Sequence, residues 1–345
     1  MRNTLPPFLL GFLLVVLLAE LILRALPVST GYNLGAVDAY QPILRGQPFS
    51  AYTYSRAWNF QMANSGVLNN FGFRSSYDFV PDPRAVVVIG NSYIQADAID
   101  PRDTLTERLG ANLHVPAYAV GVDGFSLADY LVAARWASAS FDAHTLFVLL
   151  TAGDLKHSCV PRLGQHYLRS SDGVISLALV ERQSPSGLKR LLNDSSLFRY
   201  IFDNLRVSAN WEKGWRRNPD EGPSPDVTAG GTGCSDEEFE RAATLFLLKS
   251  FHELELTRQA RVIFLLAPAY RRERGVVAGA IRDVDWVADR AANDGFAVVH
   301  MDAAFSAALR SGIRLDFLPI DGHWTIAANA LAAQAAADAV TLDLR

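Results

Sequence analysis

A chain of 345 residues, half hydrophobic and one fifth charged, with 24 glycines and 16 prolines, has globular composition. That excludes long disordered, collagen-like and coiled-coil readings and leaves length for one large domain or two modest ones. The formal charge of -4, with no long Lys/Arg run, argues against a nucleic-acid partner, which calls for a basic face. Two cysteines, Cys159 and Cys234, form neither a CxxC pair nor a zinc cluster.

The N-terminal stretch Leu5 to Leu26 is apolar except for Glu20 and Arg24. As one helix its 22 residues would reach roughly 33 Å, enough for a bilayer core, with Glu20 and Arg24 paired four apart near the interface. Arg2 ahead of the run favours a cytoplasmic N-terminus. The expectation is a single-pass anchor over residues 1–26 in the inner (cytoplasmic) membrane, with an extracytoplasmic, periplasmic body. A cleaved signal peptide competes, but Arg24-Ala25-Leu26-Pro27 is a poor cleavage site. A buried core helix is the other alternative.

Residues 27–82 are rich in Gly, Asn, Ser and Tyr without sustained periodicity and read as a stalk and lead-in loops. From about residue 83 to 345 short apolar runs alternate with helical patterns. Ala85–Gly90, Thr145–Thr151, Arg261–Ala267 and Ala297–Met301 suit strands buried on both faces, and His114–Val120 is a weaker fifth. Helices are predicted over Thr104–Ala111, Ser126–Ala139, Asp236–Arg258, Val276–Asn293 and Thr325–Val340, the third opened by a Ser235/Glu238 capping box. The alternation predicts an α/β fold with a doubly wound, mostly parallel sheet. Residues just after each strand then line the ligand site. Lys156–Cys234 breaks the pattern and reads as an insertion after the third strand. Its bracketing cysteines allow a disulfide in an exported compartment, two separate buried thiols being the alternative. Trp211 and Trp215 suit either a sugar-stacking face or packing.

Directly after the first strand comes Gly90-Asn91-Ser92-Tyr93. A serine at a strand-to-helix turn presents its hydroxyl at the top of the sheet with amides nearby, although serine is also a common helix cap. Before the last helix stands Asp321-Gly322-His323-Trp324-Thr325. An imidazole oriented by a carboxylate is what activates a serine; the alternative is that Asp321 or Thr325 caps the helix beside an exposed His323.

Taken in order, Asn69-Asn70-Phe71-Gly72-Phe73-Arg74, AVVVIGNSYIQA, Gly121-Val122-Asp123-Gly124-Phe125-Ser126, LLTAGDL and DGHW resemble the bacterial SGNH (GDSL-type) hydrolase superfamily. The likeness runs from about Asn69 to the C-terminus outside the insertion. It is greatest to members with a membrane anchor, and the ending is similar to the DxHW of alginate O-acetyltransferase-like proteins. The resemblance implies a flavodoxin-like sheet, Ser92 as nucleophile, His323 as general base and Asp321 as its partner. It also implies an oxyanion hole from Ser92, Gly124 and the third block. Two positions depart from the pattern. Asn91 replaces the usual Asp before the nucleophile, and Ala152-Gly153-Asp154 replaces Gly-Asn-Asp, leaving Gly153 or Asp154 where an oxyanion asparagine is expected. Asp154 is then either part of that hole or a residue that fixes the strand-end loops.

The expected activity is a serine esterase that removes acyl groups, acetyl foremost, from an envelope or secreted carbohydrate, without cofactor or metal. The alternatives are an O-acyltransferase on an exported polysaccharide and an inactive binding module of the same fold. Expected partners are the acylated carbohydrate or another small ester and, through the N-terminal helix, the membrane.

Overall fold

A computed structural model describes residues 7–183, 194–207, 237–268 and 283–343. The first part of the chain forms helix α1 (Pro7–Arg24) and an antiparallel hairpin of β1 (Ala51–Arg56) and β2 (Met62–Val67). The α/β core then begins with β3 (Val86–Gly90), α2 (Ser92–Gln95), α3 (Leu105–Leu113), β4 (Ala117–Gly121), α4 (Leu127–Phe141), β5 (Thr145–Leu150) and α5 (Asp154–His157). A second hairpin, β6 (His166–Ser171) with β7 (Val174–Leu179), and the short α6 (Ser196–Arg199) belong to the insertion. The core resumes with α7 (Glu237–Arg258), β8 (Arg261–Leu266), α8 (Asp283–Asn293), β9 (Ala297–His300) and α9 (Asp302–Arg310). It ends with β10 (Asp316–Phe317), β11 (Asp321–Trp324) and α10 (Ile326–Asp343).

Five strands make one parallel sheet in the order β4-β3-β5-β8-β9. Their continuous Val, Ile, Leu and Phe runs follow from burial on both faces. The pleat sends alternate side chains to opposite sides. Val86 and Val88 of β3 and Phe147 and Leu149 of β5 pack toward α3, α9 and α10. Val87 and Ile89, with Leu146 and Val148, pack toward α4, α7 and α8. Polar caps set where the helices start: the Thr104 hydroxyl accepts from the Glu107 amide ahead of α3, and Ser126 forms a capping box with Asp129 ahead of α4. Counted along the chain, the five strands stand 2-1-3-4-5, so the order reverses beside the first, β3. A crevice opens at the carboxyl ends of the strands at such a point.

The N-terminal expectation is corrected. Among the described residues no helix is long and apolar enough to cross a membrane. Helix α1 has 18 residues and is followed by a turn, not by the further helical residues expected up to Leu26. At 1.5 Å per residue it reaches about 27 Å, short of the roughly 30 Å hydrocarbon core, and its last turns hold Glu20 and Arg24. Glu20 bonds Arg24 at 2.8 Å and also accepts from Ser195 Oγ and the amides of Ser196 and Leu197, so it caps α6 of the insertion. The transmembrane anchor, the membrane as a partner through that helix and the single-pass inner-membrane placement fall together.

Cys234, Trp211, Trp215, Ser235 and residues 276–282 lie outside the described residues, so the disulfide, sugar-stacking and capping-box expectations do too. Cys159 is buried, its sulfur 3.8 Å from the Leu155 carbonyl.

The segment before β3 is tied to the core by Arg74, which is buried. Its Nε donates to Tyr52 Oη at 2.7 Å and Nη1 to the Ala96 and Gln95 carbonyls at 2.6 and 3.2 Å, while Nη2 donates to the Ile99 carbonyl. The guanidinium thereby fixes the loop that follows α2. Arg74→Met keeps the apolar stem and strips these acceptors of their donor. Urea unfolding is expected to show a loss of about 3 kcal/mol, the scale for orphaned buried acceptors.

Candidate active site

The site forms where β3 ends. Gly90 closes the strand, and a Cβ there would lie 2.5 Å from Ile94 Cγ1, so α2 can fold back tightly onto the sheet only over a glycine. Asn91 caps α2, its Oδ1 accepting from the Tyr93 amide at 3.1 Å. Ser92 follows as the first residue of the helix.

His323 arrives from the far end of the chain on β11, which pairs with β10. Trp324 secures that loop: its buried ring lies 5.3 Å from Phe305 and 5.0 Å from Tyr93, and Asn329 of α10 donates to its carbonyl. The result brings Ser92 and His323 together across 231 residues, with Ser92 Oγ 2.8 Å from His323 Nε2. The other ring nitrogen, Nδ1, bonds Asp321 Oδ1, which also accepts from the His323 amide at 2.8 Å. Asp321 Oδ2 accepts from the hydroxyl of Tyr54 on β1. This places a hydroxyl, an imidazole and a carboxylate in line, the arrangement that moves a proton off serine and steadies the resulting imidazolium.

Electrostatics sharpen the roles. Burial alone would raise Asp321, but the bond to His323, the charge of its imidazolium and the Tyr54 hydroxyl hold it well below the usual carboxylate range. Burial would lower His323; the bond and charge of Asp321, helped by Asp123 and Asp97, outweigh it and raise the imidazole above its ordinary value. Tyr93 flanks the ring at 5.2 Å between centroids.

Gly124 has φ +82, in the left-handed region that favours glycine, and a Cβ there would press to 3.0 Å from Gln165 Nε2. Its carbonyl accepts from Arg162 Nη1 at 3.2 Å. Gly153 is committed elsewhere: its amide donates to Asp283 Oδ1 at 2.6 Å, and the same carboxylate accepts from the Leu155 and Lys156 amides. Asp154 lies beneath the turn that carries Ser92, accepting from the Thr151 amide and hydroxyl at 2.7 and 2.9 Å and from Asn91 Nδ2 at 3.1 Å. It joins the ends of β3 and β5. A cavity of about 470 Å³ opens beside the loop that leads into Asp321, lined by Gln61, Met62, Ala98, Arg314, Phe317 and Ile320.

Sequence reasoning missed Tyr54, Arg56 and Asp283. Tyr52, Tyr54 and Arg56 recur at the two-residue spacing of one strand face, a signal too short to stand out in a polar lead-in. Asp283 caps α5 from 130 residues away, and nothing in local spacing announces it. Among the described residues no cluster of His, Cys, Asp or Glu could hold a metal ion.

No family model matches the chain, and no curated protein matches it. Solved structures do. A member of the lipolytic protein G-D-S-L family from Veillonella parvula is 12% identical, over 75% of this chain and 98% of that one, with a TM-score of 0.38. A catalytic mutant of an acetylxylan esterase from Geobacillus stearothermophilus is 11% identical, over 76% and 95%, with a TM-score of 0.40. A carbohydrate esterase family 2 enzyme with a carbohydrate binding domain from Corynascus thermopiles is 11% identical, over 81% and 71%, with a TM-score of 0.39. Likenesses this distant leave the chemistry to the chain's own side chains.

Two measurements probe those side chains. NMR titration is expected to find His323 protonating above the ordinary histidine value, and Asp321→Asn to bring it down. Asp154 is pushed up to about 8 by burial, with Asp283 adding to the effect, against its Thr151 donors. A carboxyl raised on folding binds its proton more tightly in the native state, so this group's stabilisation declines as pH rises from about 4 to about 8. Asp154→Asn is expected to flatten that part of the stability–pH curve, read by urea midpoints.

Proposed function

We propose that the protein is a serine hydrolase acting on acyl esters, with Ser92 as nucleophile, His323 as general base and Asp321 as the carboxylate that orients the ring. The observation that carries this reading is the 2.8 Å contact of Ser92 Oγ with His323 Nε2, with Nδ1 held by a buried carboxylate. In the acylation step Ser92 Oγ attacks the ester carbonyl while its proton passes to Nε2. Collapse of the tetrahedral intermediate breaks the ester bond, and His323 returns the proton to the departing alkoxide. Water then enters by the same route and releases the acid. The amides of Ser92 and Gly124 are the donors proposed for the oxyanion. With the Gly153 amide on Asp283, that hole has two backbone donors from this set, and each missing donor costs about 2.7–4 kcal/mol of transition-state stabilisation.

The order of the short motifs, which resembles the SGNH superfamily, supports ester chemistry and a carbohydrate acyl ester, acetyl foremost, as the substrate class.

The test is hydrolysis of an aryl acetate and of acetylated oligosaccharides by the purified protein. Acetate release is expected, with Ser92→Ala lowering kcat at least about 10³-fold and KM little changed. Acetyl transfer to an added oligosaccharide at the expense of free acetate would make the protein a transferase. No turnover and no acyl-Ser92 with any ester would leave only a binding module.

A further inference from the structure

The lead-in hairpin reaches the centre of the site. Tyr54 on β1 is buried, and its hydroxyl donates to Asp321 Oδ2, the oxygen turned away from His323. Arg56, two residues on and on the same strand face, lies with its guanidinium 4.5 Å from the Tyr54 ring centroid. Arg56 Nε donates to the Tyr54 hydroxyl at 3.2 Å and stands 3.9 Å from Asp321 Oδ2. The guanidinium is itself pinned by Nη1 donating to the Asp203 carbonyl at 2.7 Å. The phenol has one proton to give, and because Arg56 is a donor, that proton goes to the carboxylate. Burial and the neighbouring Asp321 raise the Tyr54 hydroxyl, against the pull of Arg56, so it stays protonated.

We infer that Tyr54 is a positioning residue for the proposed hydrolysis: backed by Arg56, its hydroxyl clamps the outer oxygen of Asp321 so that the inner one faces His323 Nδ1. This rests on the reading of Ser92, His323 and Asp321 as the reacting set. Without the clamp the outer oxygen of Asp321 is unheld, so the carboxylate keeps its bonds to the His323 ring and amide but is less narrowly aligned with Nδ1. With the clamp, the carboxylate shares its charge with a second donor and stabilises the imidazolium less. The charged and titratable groups around the imidazole are Asp321, Asp97, Asp123 and Tyr93, and those around Asp321 are His323, Tyr54 and Arg56. Removing the hydroxyl therefore has two separable effects. The plateau rate falls because orientation is loosened, and the acid limb moves to higher pH because the carboxylate leans more on the ring.

The experiment follows covalent labelling by an aryl-linked fluorophosphonate across pH, a reaction that needs no knowledge of the substrate. The Ser92 Oγ–P bond forms, the P–F bond breaks, fluoride leaves and His323 takes the proton. Tyr54→Phe keeps the ring and removes only the hydroxyl. It is expected to label fully at Ser92, about tenfold more slowly at the plateau, with the acid limb shifted upward. Arg56→Gln removes the nearby positive charge and is expected to shift the limb the same way, which keeps the test available should Tyr54→Phe not fold. An unchanged pH limb in both variants overturns the inference, whether or not the rate falls. A wild-type protein that does not label, or a label that persists in Ser92→Ala, overturns instead the hydrolase reading on which it rests.

Discussion

Asp321 is a carboxylate only 4% exposed, and a buried charge is costly unless its oxygens find donors. Here they do: His323 supplies an amide and a ring nitrogen to one oxygen, and Tyr54 supplies a hydroxyl to the other. Tyr54 stands 267 residues from Asp321 in the chain. The hairpin before the sheet and the loop before the last helix are thus joined through one side chain. Any rearrangement that separates them exposes or orphans a charge, so the reacting geometry and the closure of the fold are the same constraint.

The sheet supplies the other half of that constraint. A parallel sheet delivers all its strand ends to one side, and the reversal of order at β3 leaves room there for α2 to begin. Ser92 needs no long loop to reach the crevice because it starts the helix two residues beyond the strand. His323 does need one, and the structure stiffens it by burying Trp324 against Phe305 and Tyr93 and by anchoring Asn329 to both Trp324 and the start of α3. The Tyr93 ring that braces Trp324 also lies against the imidazole, so packing on the helix side of the sheet sets the approach of the histidine to the serine.

The strands of this core were legible because runs such as Val86–Gly90 and Arg261–Leu266 are apolar at every position, a pattern imposed by burial on both faces. Helices such as Leu127–Phe141 were legible as helical patterns alternating with those runs. The pairing of Ser92 with the Asp321–His323 loop came from residue chemistry and motif order. The β1–β2 hairpin was not legible: AYTYSR and MANSGV carry hydroxyls, an amide and an arginine where a strand signal expects apolar residues, because those polar groups serve Arg74, Asp321 and Asp97 rather than the solvent. The anchor was misread for the opposite reason. Composition from Leu5 to Leu26 is apolar enough for a span, but composition does not say where a helix stops, and the turn after Arg24 shortens it while Glu20 is drawn to α6.

The two departures from the family-like pattern answer each other physically. Asn91 offers both an acceptor and donors, and it uses both. Its Oδ1 caps the Ser92 turn at the Tyr93 amide, and its Nδ2 reaches Thr151 Oγ1 at 2.7 Å and Asp154 Oδ1 at 3.1 Å. An aspartate at position 91 would keep the cap but replace an amide donor to the buried Asp154 with a second acidic acceptor, raising the proton affinity of that carboxyl further. The amide removes that conflict. It lets Asp154 bridge the ends of β3 and β5, and it leaves Asp283 to take the amides of Gly153, Leu155 and Lys156 that begin α5. The third block of this chain therefore holds strand ends together beneath Ser92, with the Gly153 amide already engaged by Asp283.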